Sequence, residues 1–256
     1  MKQLGPPVVA ALIGLLLWEL LARGLHVEPW LLPPPSTVVR AAFAARAELI
    51  GATLTTGTTA FLGFSLSAVV GVSLGVLLSR SRLLERGFYP YALLLQTVPI
   101  VAIAPLLVLW FGIGPRAVTA SAFIVSVFPV VTGTLSGLRS VDPALHDLFT
   151  LYGSSRTRRL LWLELPSAAF SIATGLRVAS GLAVIGAVVG EFVAGFAEGR
   201  PGLGIVVMSS YRQLRTDVLF GAVFCSTLLG LALFSFVGVF SHLYLRKWHV
   251  AEKDPR

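Results

Sequence analysis

Few side chains in this sequence are arranged for chemistry, and their spacing narrows what they could do. Gly71-Val72-Ser73-Leu74-Gly75 has the formal G-x-S-x-G spacing of a nucleophile elbow. That device needs a strand before the serine and a helix after it, whereas this serine lies inside a long apolar stretch that reads as one helix. The four histidines, His26, His146, His242 and His249, are scattered, and no H-E-x-x-H pair supplies zinc spacing. The one cysteine, Cys225, leaves no intrachain disulfide and no cysteine cluster for a metal. The three lysines, Lys2, Lys247 and Lys253, fall in no G-x-x-x-x-G-K-S/T loop, so nothing here cradles a nucleotide phosphate. What remains is ionic. Arg156, Arg158 and Arg159 fall within four residues, and the acids Glu19 and Glu191 lie in apolar surroundings. An acid within a membrane span is a functional suspect by default.

The arginine cluster belongs to the longest polar interruption in the chain, DPALHDLFTLYGSSRTRRLLWLELP, residues 142–166. Its punctuation predicts two short helices. The Asp142 carboxylate can accept from the free N–H groups of a first turn, and Pro143 takes the first helical position, where its missing N–H costs nothing. Gly153 supplies the left-handed residue that ends this helix. Ser154 or Ser155 caps the second, and Pro166 disfavours helix at Leu165 and so marks the next boundary. A basic helix–Gly–helix hairpin set between apolar spans is a docking element.

The elements that must position it are membrane helices. The chain has 256 residues, 55% hydrophobic and only 12% charged, and its mean hydropathy is +0.84. A soluble domain carries about a quarter charged residues. This composition describes an all-α, polytopic membrane protein, because helices satisfy their own backbone hydrogen bonds in lipid. Six apolar stretches can each cross about 30 Å of hydrocarbon, near 7–23, 54–79, 88–111, 117–138, 167–195 and 218–245. With the hairpin they form a single transmembrane domain, residues 1–256. No small-residue cleavage site follows the first run, which reads as a retained span. The net charge of +8 lies between the spans and reflects topology rather than nucleic acid. With both termini inside, twelve basic residues fall in inner segments and seven in outer ones. That bias puts the amino terminus, the carboxyl terminus and the hairpin in the cytoplasm.

Within the spans, Gly63, Ser67, Gly71 and Gly75 make one smooth face at four-residue spacing, as do Gly175, Ala179, Ala183 and Ala187. Such faces let helices approach closely where lipid offers no hydrophobic contrast. Glu19, beside Trp18, sits at headgroup level, and Ser36 caps a short surface helix running through Arg46. Gln96 and Thr97 stand just ahead of Pro99, whose ring frees backbone carbonyls. Together with Glu191 they are the candidates to line a pathway. Arg177 and Glu191 are fourteen residues apart, about 21 Å along a helix, so they do not pair with each other. Arg246-Lys247-Trp248-His249 forms a basic and aromatic anchor.

The hairpin resembles the cytoplasmic signature loop of binding-protein-dependent ABC importer permeases: E-A-A, three residues, Gly, nine residues, an aliphatic, any residue, Leu-Pro. Gly153, Leu163, Leu165 and Pro166 fall at that spacing, and the E-A-A slot reads Asp147-Leu148-Phe149. The acid is kept as Asp, and both alanines are replaced by larger residues. The segments WELLA, LLPPPSTV, TVPIVAIAPLLVLWFGIG and GLRVASGLAVIGAVVGEFVAG are similar to permeases of the sulfonate, taurine, nitrate and hydroxymethylpyrimidine importer group. The resemblance runs from Trp18 to Trp248.

It implies a type I ABC importer permease fold in a bacterial or archaeal plasma (inner) membrane. It further implies a homodimer, two ATPase subunits docked through residues 143–165, and a solute-binding protein delivering substrate from outside. The chain itself would be no enzyme and hold no cofactor, with ATP and magnesium on the ATPase. The substrate would be a small organic solute, a sulfonate-like anion or a pyrimidine (thiamine) precursor. The alternative reading is a self-contained secondary carrier or channel. A carrier would show paired inverted repeats and coupling acids at mid-membrane, and it has no reason to keep the Gly153–Pro166 loop.

Overall fold

The computed structural model describes residues 5–25, 28–194 and 200–245, and among them there is helix and no strand. The 246–249 anchor and residues 195–199 lie outside them. Among the described residues four helical runs are long and apolar enough to cross a membrane: Arg46–Ser79, Pro115–Arg139, Arg156–Ala194 and Thr216–Leu243. The expected crossings near 7–23 and 88–111 correspond to α1 (Gly5–Gly24) and to a pair, α4 (Arg82–Thr97) and α5 (Ile100–Phe111). The break within that pair follows from Pro99. Val98, the residue before it, is extended at φ −72°, ψ 125°, and Pro99 becomes the N-cap of α5. Pro105 is absorbed inside α5.

The core is a sandwich of three helices: α3 (Arg46–Ser79), α6 (Pro115–Arg139) and α9 (Leu165–Ala194). Small residues make it possible. A Cβ on Gly71 would stand 2.7 Å from the Val130 Cβ, and one on Gly75 2.6 Å from that of Thr134. On the other side of α6, Gly175 lies so close to Pro129 that a Cβ would meet its carbonyl oxygen at 2.5 Å. Ala60, Ala122, Ala179, Ala183 and Ala187 are fully buried in this stack. Hydroxyls cross it. Ser67 Oγ lies 2.6 Å from Ser126 Oγ, and Ser121 Oγ donates to the Gly186 carbonyl at 2.7 Å. Backbones this close gain dispersion that bulky side chains would forbid.

Around the core lie α2 (Pro35–Ala44), α10 (Leu203–Arg212) and α11 (Thr216–Leu245). The amino end of α2 is built differently from the expectation. Ser36 does not cap it. Instead the Glu19 carboxylate, from α1, accepts from the Ser36 N–H at 3.0 Å and from Ser36 Oγ at 2.9 Å, while Arg23 donates to the same group. Bare N–H groups at a helix start attract whichever carboxylate can reach them.

Candidate functional site

The hairpin comprises α7 (Pro143–Leu151), α8 (Arg156–Arg159) and a π-helical turn (Leu160–Glu164) that runs into α9. Asp142 Oδ1 accepts from the Ala144 N–H at 2.8 Å and starts α7. Gly153 ends it with φ +66°. The Ser154 N–H donates to the Phe149 carbonyl and the Gly153 N–H to that of Thr150, both at 3.0 Å. This pair of bonds is the Schellman termination, which needs the left-handed glycine between them. Ser155 Oγ caps α8 through the Arg158 N–H at 3.3 Å.

Pro166 does not end a helix here, contrary to the sequence expectation. The run continues from Arg156 to Ala194. The π turn just before Pro166, where the Leu165 N–H reaches back to the Leu160 carbonyl, explains it. Its wider turn shifts the carbonyls that a pyrrolidine ring would strike in an α-helix.

The hairpin is stitched by a residue that sequence reasoning treated as the free position between Leu163 and Leu165. Glu164 is only 7% exposed. Its carboxylate lies 3.3 Å from Arg159 Nε, 3.4 Å from His146 Nε2 and 3.9 Å from Arg80 Nη1. One buried acid thereby ties together α7, α8 and the end of α3. A lone Glu in an apolar Leu-Trp-Leu-Glu-Leu-Pro run was the only signal available. Nearby, Glu85 of α4 pairs with Arg139 at the end of α6.

The other hairpin residues are divided by burial. Leu163 is buried, and Leu165 and Pro166 are half-buried against α9's neighbours. Asp147 is exposed and Phe149 is half-buried. Leu145, Leu148, Leu151 and Tyr152 are exposed at helical spacing along α7. That is an apolar stripe open to the surroundings, most fully at Leu151 and Tyr152.

The pathway candidates occupy two places. Gln96 is exposed and lines a groove of about 530 Å³ between α4, α6 and α9, with Phe128, Thr132, Ser136, Phe170 and Ser171. Thr97 Oγ1 donates back to the Leu94 carbonyl at 2.8 Å, and Pro99 forms the α4–α5 break. Among the described residues no hydrogen bond links them to Glu191, which is 3% exposed at the far end of α9. There the Gly204 N–H donates to Glu191 Oε2 at 2.7 Å and Thr56 Oγ1 donates to Oε1 at 2.8 Å. Thr56 Oγ1 in turn accepts from the Leu203 N–H at 2.8 Å. Glu191 is therefore a cap supplied to α10 from another helix, as Glu19 is to α2. Gly202 allows the approach, because a Cβ there would land on the carboxylate. Arg177 is apart from this: it reaches the Gly238 carbonyl at 3.4 Å and lies 5.7 Å from the Phe234 ring centroid.

A family profile described as "Binding-protein-dependent transport system inner membrane component" matches residues 67–248. Among similar proteins is the formylaminopyrimidine transport permease protein ThiX of Halalkalibacterium halodurans, 32% identical over 93% of this chain and 94% of the relative. The riboflavin transport system permease protein RibX of Chloroflexus aurantiacus is 32% identical over 95% of this chain and 90% of the relative. A putative aliphatic sulfonates transport permease protein, SsuC of Bacillus subtilis, is 29% identical over 97% and 87%. Among solved structures, an inward-facing MetNI methionine ABC transporter superposes with a TM-score of 0.62 at 17% identity, covering 77% of this chain and 97% of that one. An amino acid ABC transporter superposes with a TM-score of 0.61 at 17% identity, covering 81% and 97%. The likeness to both is one of fold.

Proposed function

This chain belongs to the family of binding-protein-dependent transport system inner membrane components, and from that premise we propose how its parts work. It is the transmembrane permease subunit of an ATP-driven importer of small solutes, a multi-pass inner-membrane protein and not an enzyme by itself. Two copies form the pathway. Each presents its hairpin to one ATPase subunit in the cytoplasm, the orientation that the twelve-to-seven distribution of basic residues supports. ATP and magnesium are held by the ATPase, and a solute-binding protein delivers substrate from the other side.

The observation that carries this reading is α7. It is capped at both ends, lies against Glu164, and turns an exposed apolar stripe outward. Closure of the ATPase pair on ATP moves the two hairpins together. The small-residue core of α3, α6 and α9 transmits that movement as a rigid body, because its backbones leave no room to slip. Transport requires that the hairpin contact differ between the inward-facing and outward-facing states.

The solute passes along the groove lined by Gln96, beside the break at Thr97 and Pro99, while Glu191 holds α10 at the opposite end of the pathway. The groove offers hydroxyls, an amide and two aromatic rings and has no charged lining residue. That chemistry suits an uncharged heteroaromatic solute of pyrimidine type better than a sulfonate. The names of the pyrimidine and riboflavin relatives support the same choice.

Affinity purification of the tagged chain from its native membrane, followed by mass spectrometry, tests the reading. A P-loop ATPase is expected to accompany it and to be lost with Asp147→Lys. Absence of any ATPase under mild detergent, with uptake persisting in ATP-free liposomes, would instead establish a self-contained carrier.

A further inference from the structure

The hairpin end of the fold holds a second feature beside the apolar stripe of α7. A cleft of about 1280 Å³ lies between the end of α3, the first turns of α4, the end of α6 and the hairpin. Six arginines line it against two carboxylates, an excess of four positive charges before His146 is counted. Both carboxylates are already engaged: Glu85 by Arg139, and Glu164 by Arg159, His146 and Arg80. Arg82, Arg86 and Arg156 have no carboxylate within 4.0 Å among the described residues. Arg82 and Arg86 are one turn apart and share a side of α4. Arg156 faces the same cleft from the hairpin. Guanidinium groups converging from two elements repel one another unless an anion lies between them, and their planar donors match phosphate oxygens.

The surroundings say which anion. The cleft opens where α3 ends at Ser79 and α6 at Arg139, which is the edge of the membrane-crossing core. The side of α4 that carries the two arginines continues into Leu83, 81% exposed, and, two turns on, Pro90, which itself lines the cleft. A basic floor beside an apolar wall at the membrane boundary is complementary to an amphiphile, with phosphate at one end and hydrocarbon at the other. Basic pockets between membrane helices are where anionic headgroups bind.

We propose that this cleft binds the headgroup of an anionic phospholipid, its phosphate held by Arg82, Arg86 and Arg156 and its acyl chains lying against Leu83 and Pro90. The headgroup bridges α4 to the hairpin, so lipid composition bears on the hairpin's position. The inference stands whether or not the hairpin docks an ATPase.

The test uses the purified full chain in neutral detergent, titrated with phosphatidylglycerol, cardiolipin or phosphatidylcholine of matched chains, with retained lipid counted by native mass spectrometry. Anionic lipid is expected to be retained in preference, and the preference to fall roughly fivefold for each arginine removed in Arg82→Ala and Arg86→Ala. Lysine at both positions should preserve much of it. Arg116→Ala, an exposed arginine at the other end of α6, should change nothing. Equal retention of phosphatidylcholine, or an unchanged preference in the double alanine variant, overturns the proposal. Displacement of the lipid by inorganic phosphate overturns it in favour of a free-anion site. Displacement by a co-purifying ATPase overturns it in favour of an acidic protein surface.

Discussion

Replacing Gly153 isolates the hairpin's geometry from every other contact. Its φ is +66°, and a Cβ built there would meet nothing within 4 Å. A Cβ therefore meets no clash, and the cost of adding one is conformational. A left-handed residue other than glycine costs about 1–2 kcal/mol, which lowers the population of the formed hairpin about 5- to 30-fold. The penalty has a characteristic order. Asn tolerates this region and should lose least, Ala should lose about 1 kcal/mol, and β-branched Val should lose most. The Schellman bonds from Ser154 and Gly153 would open together, and Leu148 and Leu151 would leave their register. All three variants should insert and express as the parent does, because the position is exposed and far from the α3–α6–α9 core. Retention of the ATPase on the purified permease, and ATP-driven uptake in proteoliposomes, should fall in the order Asn, Ala, Val. Uptake by Gly153→Val equal to the parent would refute the reasoning, and so would a Gly153→Asn variant as defective as Val.

Substitutions at four further positions probe the rest of the fold. Glu164→Ala removes a buried acceptor of charged partners, a loss of about 1.5–3 kcal/mol; limited proteolysis should cut faster within residues 150–156, and an unchanged rate would show that the carboxylate does not hold the hairpin. Glu191→Leu strands the Gly204 N–H and the Thr56 hydroxyl in a buried setting, at about 1–3 kcal/mol. Its melting midpoint in detergent should drop further than that of Glu191→Gln, which keeps one acceptor oxygen, and equal midpoints would contradict the capping role. Gly71→Ala drives a Cβ to 2.7 Å from the Val130 Cβ and should cost about 1–3 kcal/mol by overpacking. Gly51→Ala, on the same helix with open space around it, should instead gain about 0.5–1 kcal/mol. Similar melting shifts for the two alanines would show that α3 does not approach α6 as closely as described.

Local chemistry determined a large part of this protein in advance. The helix boundaries at Asp142, Gly153 and the Ser154–Ser155 pair are read from short-range bonds, because an N-cap or a left-handed glycine acts within a few residues of itself. The stripe of Gly63, Ser67, Gly71 and Gly75 shows its purpose in the same way, since four-residue spacing puts it on one face whatever lies opposite. Composition and run length decided the all-helical membrane class, because lipid allows few alternatives.

The tertiary structure alone decided the roles of the acids. Glu191 meets Thr56 across 135 positions and Gly204 across 13, and Glu19 meets Ser36 across 17. No local pattern marks which helix start a distant carboxylate will cap. Glu164 is the same case. Its three nitrogen-bearing neighbours come from the end of α3, from α7 and from α8, and they converge only once those elements have packed. The reading of Pro166 failed for a related reason. A proline's effect on a helix depends on the width of the turn before it, and that π turn is part of the folded hairpin in which Glu164 is held. Spacing along the chain specifies what each segment can form by itself. Which buried charge meets which bare N–H or guanidinium is settled by the three-dimensional approach of elements that the chain keeps far apart.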